Sequence, residues 1–244
     1  MTAEFARIDT GPIYRRIAQA IAARITNREL KPGDALPTET LLALQLGVNR
    51  STVREALREL ESRRLVGRRA GSKRMFVIRP GHEVLGAQLS DALLLHDVTI
   101  HDVWEMLMLL EPQAAELAAR RRRKEQLVAL QSITDLHLMQ GPTIAAIEHV
   151  QSFFRNLVAA NQNRALALAH EPAIQLLGSS LALMIDRVPQ ARQRIANAQA
   201  KIVEAIAQRS ANDARDWMAR HIRDFKRGFD IAGIDMNQRI SAVR

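Results

Sequence analysis

The chain has 244 residues, 47% of them hydrophobic, with 35 Lys and Arg against 26 Asp and Glu and no cysteine. That length admits one large domain or two modest ones, and the lack of thiols excludes a disulfide framework and a thiolate zinc site, as suits a reducing cytosol. No apolar run approaches the roughly 18 residues a membrane span needs, and the opening MTAEFARIDTG lacks the basic-then-apolar pattern of a secretory signal, so a cytoplasmic protein with no membrane partner is expected.

The basic excess is lopsided. Residues 1 to 80 carry 16 basic and 8 acidic side chains and the remainder 19 and 18, which points to a polyanion-binding module joined to a near-neutral second domain.

In chain order, Ile13, Ile17, Ala20, Ile21 and Ile25 recur at helical spacing and predict a helix from Ile13 to Leu30, ending before Pro32-Gly33. Thr38 is placed to cap a short apolar helix from Leu41 to Leu46, which Gly47 breaks. A further helix follows with Asn49 or Ser51 as its cap. Val53, Leu57 and Leu60 form its core stripe, leaving Arg50, Ser51, Thr52 and Arg54 on its exposed first turns. This is a helix-turn-helix, with guanidinium and short polar groups where base edges and phosphates are met. The basic stretch Arg68-Arg69-Ala70-Gly71-Ser72-Lys73-Arg74, followed by Met75-Phe76-Val77-Ile78, predicts two short strands around a tight turn at Gly71, a wing.

These residues resemble the winged helix of the GntR family of bacterial transcription regulators over roughly residues 10 to 80. The likeness lies in Lys31-Pro32-Gly33-Asp34-Ala35-Leu36-Pro37, in Val48-Asn49-Arg50-Ser51-Thr52-Val53-Arg54-Glu55-Ala56-Leu57 and in the Gly-tipped wing. It implies double-stranded DNA as partner, with Arg50 and Arg54 as base readers or phosphate clamps and Asn49, Ser51 and Thr52 giving shorter hydrogen bonds. Thr38 and Thr40 flank the helix, and Arg69, Gly71, Ser72 and Lys73 bring the wing to the duplex; Thr40 stands where the family often has an arginine.

Arg79-Pro80-Gly81-His82-Glu83 has the punctuation of a linker, giving a DNA-binding domain over 1–80, a linker over 81–85 and a second domain over 86–244. Everything beyond it reads as helix, in approximate segments 84–96, 99–120, 123–140, 143–161, 172–186, 189–209 and 211–230. Thr99, Thr143 and Ser210 are candidate caps, Ser210 with Asp213 as a capping box. The expected fold is therefore mainly α: a winged helix-turn-helix of three helices and a small β-wing, joined to an all-helical bundle of about six to seven helices.

This second half resembles the FCD ligand-binding domain of the FadR subfamily, in His101-Asp102-Val103-Trp104-Glu105 through Leu110-Glu111-Pro112, in Phe153 to Leu157 and Asn161, in Ile202 to Ile206 and in Met218 to Ile222. In such domains a carboxylate, a His four residues on and two later His hold a divalent metal, and that set falls here on Val150, Phe154, Gln199 and His221. Only His221 survives, and Leu107 replaces a ligand-facing arginine, so no family metal and no other cofactor is expected. Leu107, Val150, Phe154, Gln199 and His221 would then line an apolar effector pocket, or Phe154 and the Met side chains fill it.

His149, beside the motif, reads as a solvated helix residue, and His82, His96, His101, His137 and His170 as surface or capping side chains. The Arg120 to Lys124 run reads as a solvated helix end. No metalloprotease, dinucleotide, Walker or nucleophile-elbow motif is present, so no enzyme activity and no catalytic residue is expected. The expected function is a DNA-binding homodimeric transcription regulator, a repressor answering to a small effector; the alternative is an effector-independent dimer whose bundle only pairs two copies.

Overall fold

The computed structural model describes residues 11–134 and 141–241. The chain divides into two compact units, Met1–Gly81 and His82–Arg244.

The first unit holds α1 (Ile13–Thr26), α2 (Glu39–Leu46), α3 (Arg50–Ser62), β1 (Val66–Arg68) and β2 (Met75–Val77). Helix α1 stops at Thr26, short of the expected Leu30, because Arg28 turns left-handed at φ 64° and the chain folds back. Helix α2 starts earlier than expected, since the Thr38 side chain accepts from the Leu41 amide (3.3 Å) and carries the first turn back to Glu39. Gly47 ends it at φ 64°, a conformation a glycine takes without strain. Ile17, Ala18 and Ile21 of α1 meet Leu42 of α2, Val53, Leu57 and Leu60 of α3, and Val66 and Val77 of the wing in one core.

The wing is antiparallel, with Val66 opposite Val77 and Arg68 opposite Met75. A third edge was not legible in advance. The turn after Lys31 runs beside β2, with the Gly33 amide donating to Val77 O (2.8 Å), the Val77 amide to Asp34 O (2.9 Å) and the Leu36 amide to Met75 O (2.8 Å).

The second unit is a bundle of α4 (His82–Leu95), α5 (Ile100–Arg121), α6 (Lys124–Ile133), α7 (Thr143–Asn161), α8 (Arg164–Arg187), α9 (Ala191–Ala207) and α10 (Ala211–Ile231). Helix α5 packs against α7, α8, α9 and α10, while α4 rests on α8. The expected linker over 81–85 is helical from His82 on. The expected helix over 123–140 ends at Ile133, and its residues 135–140, with His137, lie outside the described residues.

Helix α8 begins at Arg164 rather than at 172. Asn163 caps it through bonds from the Ala165 and Leu166 amides (3.1 and 3.2 Å), and Pro172 lies inside it. Thr99 and Asp102 form a full capping box on α5. Ser210 and Asp213 do not: their side chains bond each other (2.6 Å), with no side-chain bond to the α10 backbone. Thr143 is the first residue of α7 rather than its cap. Among the described residues no helix is long and apolar enough to cross a membrane.

The arginine run departs from the expected solvated end. Arg122 donates to the carbonyls of Ile206 and Ala207 at the end of α9 (3.2 and 2.7 Å), and Arg209 returns bonds to Arg120 O and Arg122 O (3.1 and 3.3 Å). These guanidiniums satisfy last-turn carbonyls that have no partner within their own helix.

Candidate nucleic-acid interface

Helices α2 and α3 meet at Gly47 and leave a surface groove lined by Thr40, Leu44, Gly47, Asn49, Arg50 and Thr52, among others. Asn49 occupies the cap position of α3 in extended conformation but makes no side-chain bond to the helix. The first amides of α3 therefore meet neither Asn49 nor an acidic side chain of the first turn, and the residues that carry them, Arg50 and Ser51, are exposed. Ser51 is not the cap; it lies in the first turn, exposed. Such a helix end, with a guanidinium beside it, favours phosphate and base-edge acceptors.

The remaining expected contacts divide into free and engaged groups. Arg50 and Lys73 are exposed. Thr38 spends its hydroxyl oxygen on the Leu41 amide. Arg54 is not paired within α3; its Nε and Nη2 donate to Glu39 Oε2 on α2 (3.3 and 3.2 Å). On the wing, the Arg69 guanidinium lies over the Phe76 ring at 4.4 Å, a cation–π contact that stiffens it. The Ser72 hydroxyl accepts from the Arg74 amide (3.1 Å), and Gly71 takes φ 76°.

Two residues were missed by the sequence reading. Leu44 lines the groove at 80% exposure, and Glu39 engages Arg54. Leu44 was hidden because α2 is apolar on every side, so periodicity could not tell its wet face from its dry one.

In the bundle, Leu107, Val150, Phe154 and Gln199 are 0% exposed and His221 is 1%. A surface that no water-sized sphere touches lines no ligand-sized hollow. Phe154 stacks on His221 (6.0 Å between centroids, 14° between planes), Phe153 meets Phe154 edge-on, and Phe225 closes on His221 at 4.6 Å. Beside His221 there remains a void of about 20 Å³, room for one water, bordered also by Met184, Arg194, Asp224 and Phe225. Burial pushes the His221 imidazole down to about 4, only partly opposed by the Asp224 carboxylate.

Two histidines expected at the surface are buried. His149 bonds Gln199 Oε1 through Nε2 (3.2 Å), and burial lowers its pKa against that bond. His170 holds Glu111 Oε1 through Nδ1 (3.1 Å). A transition-metal centre takes three or four imidazole, thiolate or carboxylate donors; beside His221 the void is bordered by one carboxylate, Asp224, while His149 is bonded to Gln199, and among the described residues no group of three such donors includes His221. Among the described residues the one group of three such donors at ligating distance is His101, Asp102 and Glu105, where Asp102 already caps α5.

Comparison with known proteins places these features. Residues 13–75 match the sequence model of the bacterial regulatory proteins of the gntR family, and residues 102–224 that of the FCD domain. The HTH-type transcriptional regulator Mce2R of Mycobacterium tuberculosis is 30% identical over 220 residues, 83% of this chain and 90% of its own. The Glc operon transcriptional activator of Escherichia coli is 26% identical over 225 residues, 88% of each chain. The mannosyl-D-glycerate transport/metabolism system repressor MngR of E. coli is 51% identical, but over 61 residues, a quarter of each chain. Among solved structures, Streptococcus agalactiae GntR covers 88% of this chain and 99% of its own, at 28% identity and a TM-score of 0.61. The winged helix and the helical bundle are thus the two halves of one known architecture, and the chain belongs to the GntR family of bacterial transcription regulators, in its FCD-domain branch.

Proposed function

We propose that this protein is a cytoplasmic, non-enzymatic repressor that binds a two-fold operator as a homodimer, each copy placing α3 in the major groove and its wing on the adjoining backbone. The observation that carries this reading is the open end of α3: Arg50 and Ser51 exposed beside a helix start that no side chain caps. Repression follows from occlusion, since an occupied operator excludes other proteins. The relative MngR, similar over 61 residues, is a repressor by name.

The test is a selection from random DNA duplexes followed by binding titrations at fixed salt. The wild type enriches a motif with two-fold symmetry, and Arg50→Ala weakens binding to it by about 1–3 kcal/mol and relaxes one position per half-site. An Arg50→Ala protein that binds the motif like the wild type overturns the reading.

A second reading concerns the bundle. The complete burial of Leu107, Val150, Phe154 and Gln199 supports a regulator that takes no metal and no metal-bound carboxylate at His221. Calorimetric titration with Zn(II) and citrate is expected to give no stoichiometric heat, and micromolar binding of either would defeat it.

A further inference from the structure

We propose that Glu39 is a positioning residue for DNA reading: it sets the plane of the Arg54 guanidinium, so that the pair, not Arg54 alone, selects a guanine in the operator. The inference rests on the DNA-binding reading above. Glu39 is the first residue of α2 and Arg54 the fifth of α3, and the turn at Gly47 brings them together.

A single carboxylate oxygen, Oε2, accepts from both Nε and Nη2 of Arg54 (3.3 and 3.2 Å), so Glu39 grips one side of the planar fork. Of the five N–H groups of a guanidinium, that grip uses two. The other three, both on Nη1 and the second on Nη2, form the end of the fork that spans guanine O6 and N7. Exposure agrees with this division, Glu39 being 25% exposed at the inner side and Arg54 51% at the outer.

Arg50, Arg54 and Arg58 follow one another at four-residue spacing along α3 and repel one another. Without Glu39, a long flexible Arg54 in that field settles on any phosphate within reach. With it, the free edge keeps one plane, as bidentate base contact requires. The carboxylate also repels phosphate, which weakens attachment to unrelated duplexes. Glu39 thereby lowers general affinity and sharpens discrimination.

The test uses the full chain as wild type and as Glu39→Gln, Glu39→Asp, Arg54→Ala, the Glu39→Gln/Arg54→Ala double variant and Glu55→Gln. The last is an equal charge change on the α3 face shared with Tyr14 and Arg15. Each protein selects from random duplexes and is then titrated against the wild-type winner and a scrambled duplex of the same composition. Arg54→Ala is expected to flatten one guanine column. Glu39→Gln flattens the same column, cutting discrimination there about tenfold while binding the scrambled duplex more tightly. Glu39→Asp, one methylene too short, flattens it too; the double variant is no worse than Arg54→Ala, and Glu55→Gln keeps the column. A Glu39→Gln or Glu39→Asp protein that retains the guanine column overturns the inference. So does one that loses affinity for both duplexes alike together with its melting transition, the mark of a purely structural pair. A wild type that enriches no sequence defeats the DNA-binding reading itself.

Discussion

Each unit of this molecule contains an arginine clasped by a glutamate, and the two pairs lie in opposite surroundings. Arg54–Glu39 lies at the surface of the winged helix, about half wet. Arg155–Glu171 lies in the bundle, where Glu171 has 2% of its side chain exposed and receives bonds from Arg155 Nε (3.0 and 3.1 Å) and Nη2 (2.7 Å). Burial pushes the Glu171 carboxyl up, but the Arg155 bonds, the Gln175 bond and the Arg155 and His170 charges outweigh it and leave the pKa below the usual value. The same chemistry is screened where water reaches both partners and holds a fold together where the carboxylate is buried, because solvent weakens the first pair more than the second.

The largest test of that contrast is Arg155→Ala, which strands the Glu171 charge inside the bundle. It is expected to destabilise the helical unit by about 3–5 kcal/mol. Both tryptophans, Trp104 and Trp217, belong to this unit, so their fluorescence during urea unfolding follows it alone. Arg54→Ala is expected to leave that transition in place; equal losses would erase the distinction.

The second test is pH. His221 is neutral in the fold with a pKa of about 4 and titrates near 6.5 once unfolded, so the unfolded chain binds the extra proton first. Its contribution is complete above pH 6.5 and is lost as the pH falls toward 4. Between pH 7 and pH 5 the wild type should lose about 2 kcal/mol more than His221→Leu. His149 is shifted in the same direction but is present in both proteins, so the difference isolates His221. Equal losses in both proteins would show that His221 is solvated in the fold.

The smallest expected effect is on the other unit. Arg50→Ala, which should weaken operator binding, is expected to change the stability of the winged helix by no more than about 0.5 kcal/mol, followed by Tyr14 fluorescence or hydrogen exchange. A large destabilisation would mean that Arg50 holds the fold together.

The winged helix was legible in the sequence because its cues are local. Thr38 caps, Gly47 turns, and Val53, Leu57 and Leu60 mark one face of α3 within a dozen residues. Its third wing edge was not, since Gly33, Asp34 and Leu36 bond to strand β2 some forty positions on and carry no alternating pattern of their own. In the bundle, Pro172 looked like a helix start and proved interior. It removes one backbone bond, to the carbonyl of Leu168, whose residue is 41% exposed, so water can replace the missing donor. His149 and His170 looked solvated and proved buried, because Gln199 and Glu111, their partners, are 50 and 59 positions away.

By itself, then, the amino-acid sequence determined the two-part architecture and the outward row on α3, both of which follow from residue type and short-range period. Only the tertiary structure decided that Phe154 would close on His221, that the arginine run would cap neighbouring helices, and that Glu39 would hold Arg54. Those outcomes depend on side chains meeting across separate helices, and one chain read in order carries no record of such distances.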